Sequence, residues 1–308
     1  MQNKRALWLS IILSACAYAG FAIWAGVDQV IGFIGKIGIV GSVMVLILAS
    51  TNLLLRFVRW QLYLRVLGHP LPALPSLRIY LAGFALTTSP GKIGEIVRNV
   101  LLLPMKVPGT IATAALFSER LADLTAVLLL SAVGVAIYPP ALPIVIAITV
   151  VVIALFSVVS SHACTNFLAK FWKQNSVYSH IIQACQSSKR CNDRHILPAT
   201  IPLSLVVWLV EAGAFYVILV LLGIDISFQK SLFISTFGLL VGAASMMPGG
   251  LGTSEGAMIL ILTLNGVPQP ASVAATLIYR LFTLWFAVGV GGIAMLLSVR
   301  KQQLSSAS

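Results

Sequence analysis

The sequence predicts an all-α polytopic membrane protein, with six transmembrane helices and two re-entrant helical hairpins in two inverted repeats. Three observations predict it. The 308 residues are 59% hydrophobic and only 9% charged, with a mean hydropathy of +1.00; a water-facing surface needs far more charge than that. Apolar runs of spanning length recur along the whole chain. Two of those runs are cut in the middle by a Pro-Gly break followed by a glutamate. One break is Ser89-Pro90-Gly91-Lys92-Ile93-Gly94-Glu95 and the other is Met247-Pro248-Gly249-Gly250-Leu251-Gly252-Thr253-Ser254-Glu255.

An apolar run of about 20 residues crosses a bilayer and one of about 10–14 does not. By that rule full spans fall at roughly 6–27, 37–56, 111–137, 142–160, 197–222 and 271–298. Met1 to Arg5 followed by Ala6 to Gly26 has the layout of a signal peptide, but the apolar run is too long, so it reads as a retained span. The stretches at roughly 76–104 and 230–265 are long enough to span, yet each half reaches only to mid-bilayer. Proline removes a backbone donor and glycine permits a reversal, so each stretch reads as a hairpin that returns to the side it entered. The competing reading is a full span with a Pro-Gly kink.

Placing the N-terminus inside and folding both hairpins back puts fourteen Lys and Arg at the cytoplasmic face, Arg56 and Arg59 among them. Only Lys36 and Lys230 fall outside, which is the charge bias expected of a cytoplasmic face. Both termini are then cytoplasmic. The chain is one membrane domain over 1–308, with repeat one at roughly 37–137 and repeat two at roughly 197–298, each ordered span, hairpin, span. The repeats start on opposite sides, so one hairpin enters from each face. Inverted repeats with broken helices are a transporter design, with the site where the halves meet.

Between the repeats lies a loop at roughly 162–195. Phe167, Leu168, Phe171, Trp172, Tyr178, Ile181, Ile182 and Cys185 recur there at helical spacing, which predicts an amphipathic helix on the inner leaflet. Cys164, Cys185 and Cys191 share the segment with His162, His180 and His195, but no tight Cys-x-x-Cys pair is present. Free cytosolic thiols are expected, with no metal and no cofactor. The net charge of +12 belongs to loops beside apolar spans and points to lipid headgroups, not to nucleic acid.

Nine ionisable residues fall within the apolar regions: Lys92, Glu95, Arg98, Glu119, Arg120, Asp123, Glu211, Glu255 and Arg280. Each costs about 2.5–3.5 kcal/mol or more if left alone at the bilayer centre, so pairing is expected. Glu95 and Arg98 are three apart on one helix face, while Glu119 and Asp123 are four apart on another. Arg120 points elsewhere, toward Glu95 or Glu255, and Arg280 suits Glu255 or Glu211. Two readings stay open. All nine form structural pairs clamping the hairpins, or some face a polar crevice and bind a charged substrate. In the second, Lys92, Arg98 and Arg120 hold a phosphate, helix N-termini at Gly94 and Gly252 add donors, and spare carboxylates bind an amine or carry protons.

Gly252-Thr253-Ser254-Glu255-Gly256 matches the Gly-x-Ser-x-Gly pattern of a serine nucleophile. Such a serine needs a base in reach, and all four histidines fall in loops, leaving only Lys92. The chain is therefore not expected to be an enzyme.

Five motifs in order carry a resemblance: Arg56-Phe57-Val58-Arg59-Trp60, Pro90-Gly91-x-x-Gly94-Glu95-x-x-Arg98, Glu119-Arg120-x-x-Asp123, Pro248-Gly249-Gly250-Leu251-Gly252-x-x-Glu255 and Tyr279-Arg280. Together they resemble the flippase-like transmembrane family, the membrane region of lysylphosphatidylglycerol synthase-type proteins. The resemblance implies flipping of a phospholipid or lipid-linked headgroup across a bacterial or archaeal cytoplasmic membrane. In the best-known members that lipid is aminoacylated phosphatidylglycerol. No stretch here looks like the synthases' soluble aminoacyltransferase domain, so synthesis of that lipid is not expected. Two alternatives compete: a non-transporting partner of a lipid synthase or glycosyltransferase, docked through the 162–195 loop, and a small-solute or ion transporter.

Overall fold

A computed structural model of the chain describes residues 20, 23–24, 26–88, 97–135, 139–160, 176–245 and 247–307. A lipid surround offers backbone N–H and C=O groups no partner, so a chain this apolar satisfies them within its own helices. Among the described residues all regular structure is helical. The helices are α1 (Val27–Lys36), α2 (Gly38–Val66), α3 (Ala73–Ala82, continued as a 3-10 turn over Gly83–Leu86), α4 (Val97–Leu102) and α5 (Gly109–Val135). Then come α6 (Leu142–Ser160), α7 (Ser176–Cys191), α8 (Leu197–Leu221), α9 (Phe228–Ala244), α10 (Thr253–Leu264), α11 (Gln269–Arg280) and α12 (Phe286–Ala307). A π-turn over Leu281–Trp285 joins α11 to α12.

Three of these are long and apolar enough to cross a membrane by length and composition: α2, α8 and the run Gln269–Ser298 through α11 and α12. The 27-residue α5 matches them in length but carries Glu119, Arg120 and Asp123. Outward faces are apolar, with Ile39, Val43 and Ile47 on α2, Ile146, Val150 and Ile153 on α6, and Ile293 and Leu296 on α12 all exposed. Arginine and carboxylate side chains are buried instead. Apolar side chains outside and ions inside are the arrangement of an integral membrane protein, whose solvent is hydrocarbon.

One boundary departs from the sequence reading. The expected span at 37–56 continues to Val66, because no Pro or Gly interrupts it before Gly68. Arg56 and Arg59, assigned above to the cytoplasmic surface, lie instead in the protein interior at 6% and 0% exposure.

The second break is a true reversal. Gly238 on α9 lies against Met258 of α10, and Gly242 against Ser254 and Gly250. Residues twenty apart in one continuous helix would be separated by about 30 Å, so a kinked span does not describe this stretch. Gly249, Gly250 and Gly252 turn the chain with φ of +63°, +69° and +83°, a region costly to residues with a Cβ. At the first break α3 and α4 stand on either side, but Pro90, Gly91, Lys92, Gly94 and Glu95 lie outside the described residues.

Packing crosses between the two halves. The hairpin helix α9 packs on α5, and α12 packs on α3 and its 3-10 extension. A glycine makes each contact close. A Cβ at Gly134 of α5 would run into Phe233 of α9, and one at Gly291 of α12 would strike the backbone at Leu81, Phe84 and Ala85. Helix α8 lies along α2, with the Asn52 amide donating to the Val207 carbonyl at 2.7 Å. Of the predicted amphipathic segment, Ser176–Cys191 forms α7, whose C-terminal end packs on α5 and buries Ala184, Ser188 and Cys191, while Phe167, Leu168, Phe171 and Trp172 lie outside the described residues.

Candidate functional site

The site begins with two glutamates on different elements, each answered by an arginine. On α5, Glu119 is fully buried and accepts from Arg98 of α4 at 2.9 Å and from the Tyr80 hydroxyl of α3 at 3.2 Å. The Arg98 guanidinium lies 4.3 Å from the Tyr80 ring centroid and 5.3 Å from those of Trp60 and Phe84. Gly83 leaves the room for it, since a Cβ there would overlap the Arg98 side chain. Aromatic faces attract a desolvated cation, so this arginine is held by charge, hydrogen bond and ring contacts together.

One turn along α5, Asp123 gathers the arginines of α2. Its Oδ2 is 3.1 Å from Arg56 Nη1, and its Oδ1 is 2.8 Å from Arg59 Nη2 and accepts from Trp208 Nε1 at 3.1 Å. Arg56 and Arg59 are three residues apart, so both project toward α5 and α8. Arg56 also pairs with Glu211 of α8 at 3.0 Å, donates to Asn52 at 2.7 Å, and stacks 4.5 Å over the Trp208 ring. Arg59 donates to Ser204 at 2.6 Å. Arg120 reaches Asp123 at 3.6 Å, and the Tyr279 hydroxyl donates to Glu211 at 3.4 Å.

At the second break, Glu255 accepts the Gly252 N–H at 2.7 Å and pairs through its other oxygen with Arg280 Nε at 2.5 Å. Arg280 also donates from Nη2 to the Gly249 carbonyl at 2.7 Å. A carboxylate at the third residue of a helix satisfies an orphan donor of its first turn, which is half of a capping box. The N-terminus of α10 was expected to offer its donors to a substrate anion; the Gly252 N–H is already taken by the chain's own carboxylate.

Several of these groups line one cleft with a cavity volume of about 120 Å³. Asn52, Arg56, Arg120, Glu211, Arg280 and Thr283 give it polar walls; Phe84, Trp208 and Leu239 line it with apolar surface. Thr87, just after the 3-10 extension of α3, and Gly249, at the tip of the second hairpin, also line it. The second interruption comes against the end of the α3 segment there, since a Cβ at Gly249 would stand 3.6 Å from the Thr88 methyl. Three arginines and one carboxylate make the wall basic, an arrangement fitted to an anion, with space for about four waters.

Of the nine intramembrane charges read from the sequence, Arg120, Glu211 and Arg280 line the cleft. Glu119, Asp123 and Glu255 stand behind it, and Arg98 is enclosed at 1% exposure away from the cleft wall. Lys92 and Glu95 lie outside the described residues. Arg120 reaches Asp123 at 3.6 Å, while Glu95, one of the two partners expected of it, lies outside the described residues; Arg280 takes Glu255 of its two options. Sequence reasoning missed Asn52, Arg56, Arg59, Tyr80, Trp208 and Tyr279 as parts of this network. Ser254 is buried, with no hydrogen-bond partner for its Oγ among the described residues. Cys191 is buried, which pushes its thiol up to about 12.

The sequence was compared with known proteins. The family model described as "Lysylphosphatidylglycerol synthase TM region" matches residues 7–291. Among curated relatives, a UPF0104 membrane protein of Pyrococcus horikoshii is 20% identical over 97% of this chain and 99% of its own length. Another, of Methanocaldococcus jannaschii, is 24% identical over 70% of this chain and 94% of its own length. A UPF0104 membrane protein of Methanothermobacter thermautotrophicus is 34% identical, but only over 33% of this chain and 30% of that relative's length.

Proposed function

The chain belongs to the lysylphosphatidylglycerol synthase transmembrane-region family, and from that footing we propose that it moves the headgroup of a phospholipid or lipid-linked compound across the bilayer. One observation carries the reading: an arginine-lined cleft lies where the tip of the second hairpin comes against the end of the α3 segment. Arg56, Arg120 and Arg280 are each held by a carboxylate of the chain and still present guanidinium groups to the cleft, where they can also donate to a charged guest. A phosphate takes bidentate donation from guanidinium groups while its acyl tails remain in lipid.

The two units α2 to α5 and α8 to α12 serve as inverted repeats in this proposal. Each runs long helix, broken pair, long helix, and each packs its hairpin on the last helix of the other. Rocking one unit against the other would expose the cleft to each side in turn, with hairpins entering from opposite faces.

The test is reconstitution of the purified protein with labelled lipids that report their leaflet. Transfer of phosphate-bearing lipids is expected with wild type and is expected to be lost with R280A, while diacylglycerol, which lacks the phosphate, moves equally with and without protein. Transfer by R280A at the wild-type rate would remove the cleft from the mechanism. Solute flux in vesicles without lipid transfer would favour the ion or solute reading instead.

A further inference from the structure

Arg280 serves two masters. Its guanidinium lines the cleft beside Arg56 and Arg120, yet its Nε is bound 2.5 Å from a glutamate that does not line the cleft. The other oxygen of that glutamate sits on the Gly252 N–H at the start of α10. A guanidinium joined to the N–H of a helix start is the donor set that proteins use for phosphate. Here the chain supplies its own anion to it.

We propose that Glu255 is a resident stand-in for the substrate's anion: it latches the second hairpin to α11 in the empty protein, and a phosphate in the cleft releases the latch by taking Arg280. This rests on the headgroup reading above. Two further features fit a latch that opens. Directly after Arg280 the helix runs as a π-turn over Leu281–Trp285, the kind of irregularity that helices carry at functional sites. The hairpin also borders an open apolar groove of about 450 Å³, walled by Pro140 and Ile144 on one side and by Phe237, Val241, Gly256 and Leu260 of the hairpin on the other. It gives the hairpin somewhere to go. The Gly249 carbonyl, now an Arg280 partner, loses that donor when the guanidinium turns to the phosphate.

Binding to E255Q in lipid nanodiscs tests this, because glutamine keeps an acceptor for the Gly252 N–H but gives up the charge that competes for Arg280. Phosphatidic acid is expected to bind E255Q about tenfold more tightly than wild type, the scale of one charge-assisted hydrogen bond. Diacylglycerol is the control and is expected to show no change. Equal or weaker binding of phosphatidic acid by folded E255Q overturns the latch. A matching gain for inorganic phosphate keeps the latch but moves it to a free anion, which overturns the headgroup reading alone. Hydrogen exchange on wild type provides a measure that needs no variant. Phosphatidic acid is expected to speed exchange across residues 249–256, and unchanged or slower exchange with lipid bound overturns the proposal. If neither wild type nor E255Q binds either probe, both readings fall.

Discussion

Each short helix that follows a chain break is pinned to the next long helix by one arginine–glutamate pair, and the two pairs are built with the charges exchanged. In the first, the arginine is on the short helix (Arg98, α4) and the glutamate on the long helix (Glu119, α5). In the second, the glutamate is on the hairpin (Glu255, α10) and the arginine on the long helix (Arg280, α11). Their surroundings differ more than their chemistry. Arg98 is closed in by Trp60, Tyr80 and Phe84, while Arg280 holds a backbone carbonyl and borders the cleft. A pair sealed by rings has one arrangement available to it. A pair whose arginine shares a wall with two others can exchange partners. The first therefore acts as a fixed joint and the second as the place where a ligand is felt.

The largest expected effect separates the two joints by stability. R98A leaves the Glu119 carboxylate buried with only the Tyr80 hydroxyl from its present described partners, and a broken buried pair costs about 3–5 kcal/mol. R280A should cost less, about 1–3 kcal/mol, because removing a guanidinium that lines the cleft opens the Glu255 carboxylate and the Gly249 carbonyl behind it to cleft water. Thermal unfolding in one detergent is expected to rank them wild type, R280A, R98A, with R280A still folded and inactive in lipid transfer. Equal destabilisation would mean that the second joint is as closed as the first.

A smaller effect comes from Arg120, whose side chain is 27% exposed and reaches Asp123 at 3.6 Å. Ion pairs of that exposure contribute about 0–1 kcal/mol, so R120A should unfold within a degree or two of wild type. Its transfer rate is nevertheless expected to fall about tenfold, since it removes one of the cleft's three cations from the phosphate. An unchanged rate would confine headgroup contact to Arg56 and Arg280.

The two joints were not equally legible in the sequence. The second break, the long helices and the buried charge could be read from apolar run length and from Pro-Gly spacing, because lipid constrains those patterns; the first break itself, at Pro90-Gly91, lies outside the described residues. The partner of Arg280 was also within reach, since few carboxylates lay at membrane depth. What could not be read was the length of α2. Arg-Phe-Val-Arg-Trp looks like the cytoplasmic end of a span when charge alone is counted, and only the absence of a breaker before Gly68 says that the helix runs on. That error removed Arg56 and Arg59 from the network, and with them the reason for Asp123, which joins both to α5. The aromatic seal around Arg98 was equally hidden. Trp60, Tyr80 and Phe84 sit on two helices, and aromatic residues in apolar helices carry no mark of what they face. One-dimensional spacing finds the charges; it does not find the rings that decide which charges are free to move.

Those rings give the smallest and sharpest test. Tyr80 donates to Glu119 at 3.2 Å and also stacks on Arg98, so Y80F removes a hydrogen bond from a closed site while keeping the ring. Tyr279 donates to Glu211 at 3.4 Å, and that carboxylate lines the cleft. A fixed joint feels the loss as stability and a working site feels it as rate. Y80F is therefore expected to lower stability by about 1 kcal/mol with transfer unchanged. Y279F is expected to leave stability within about 0.5 kcal/mol, because the bond is long and water in the cleft can replace it, and to alter the transfer rate through a looser Glu211 and Arg56. Unfolding curves and transfer rates on the two variants decide it. If Y80F changed the rate and Y279F only the stability, the assignment of joint and site would have to be reversed.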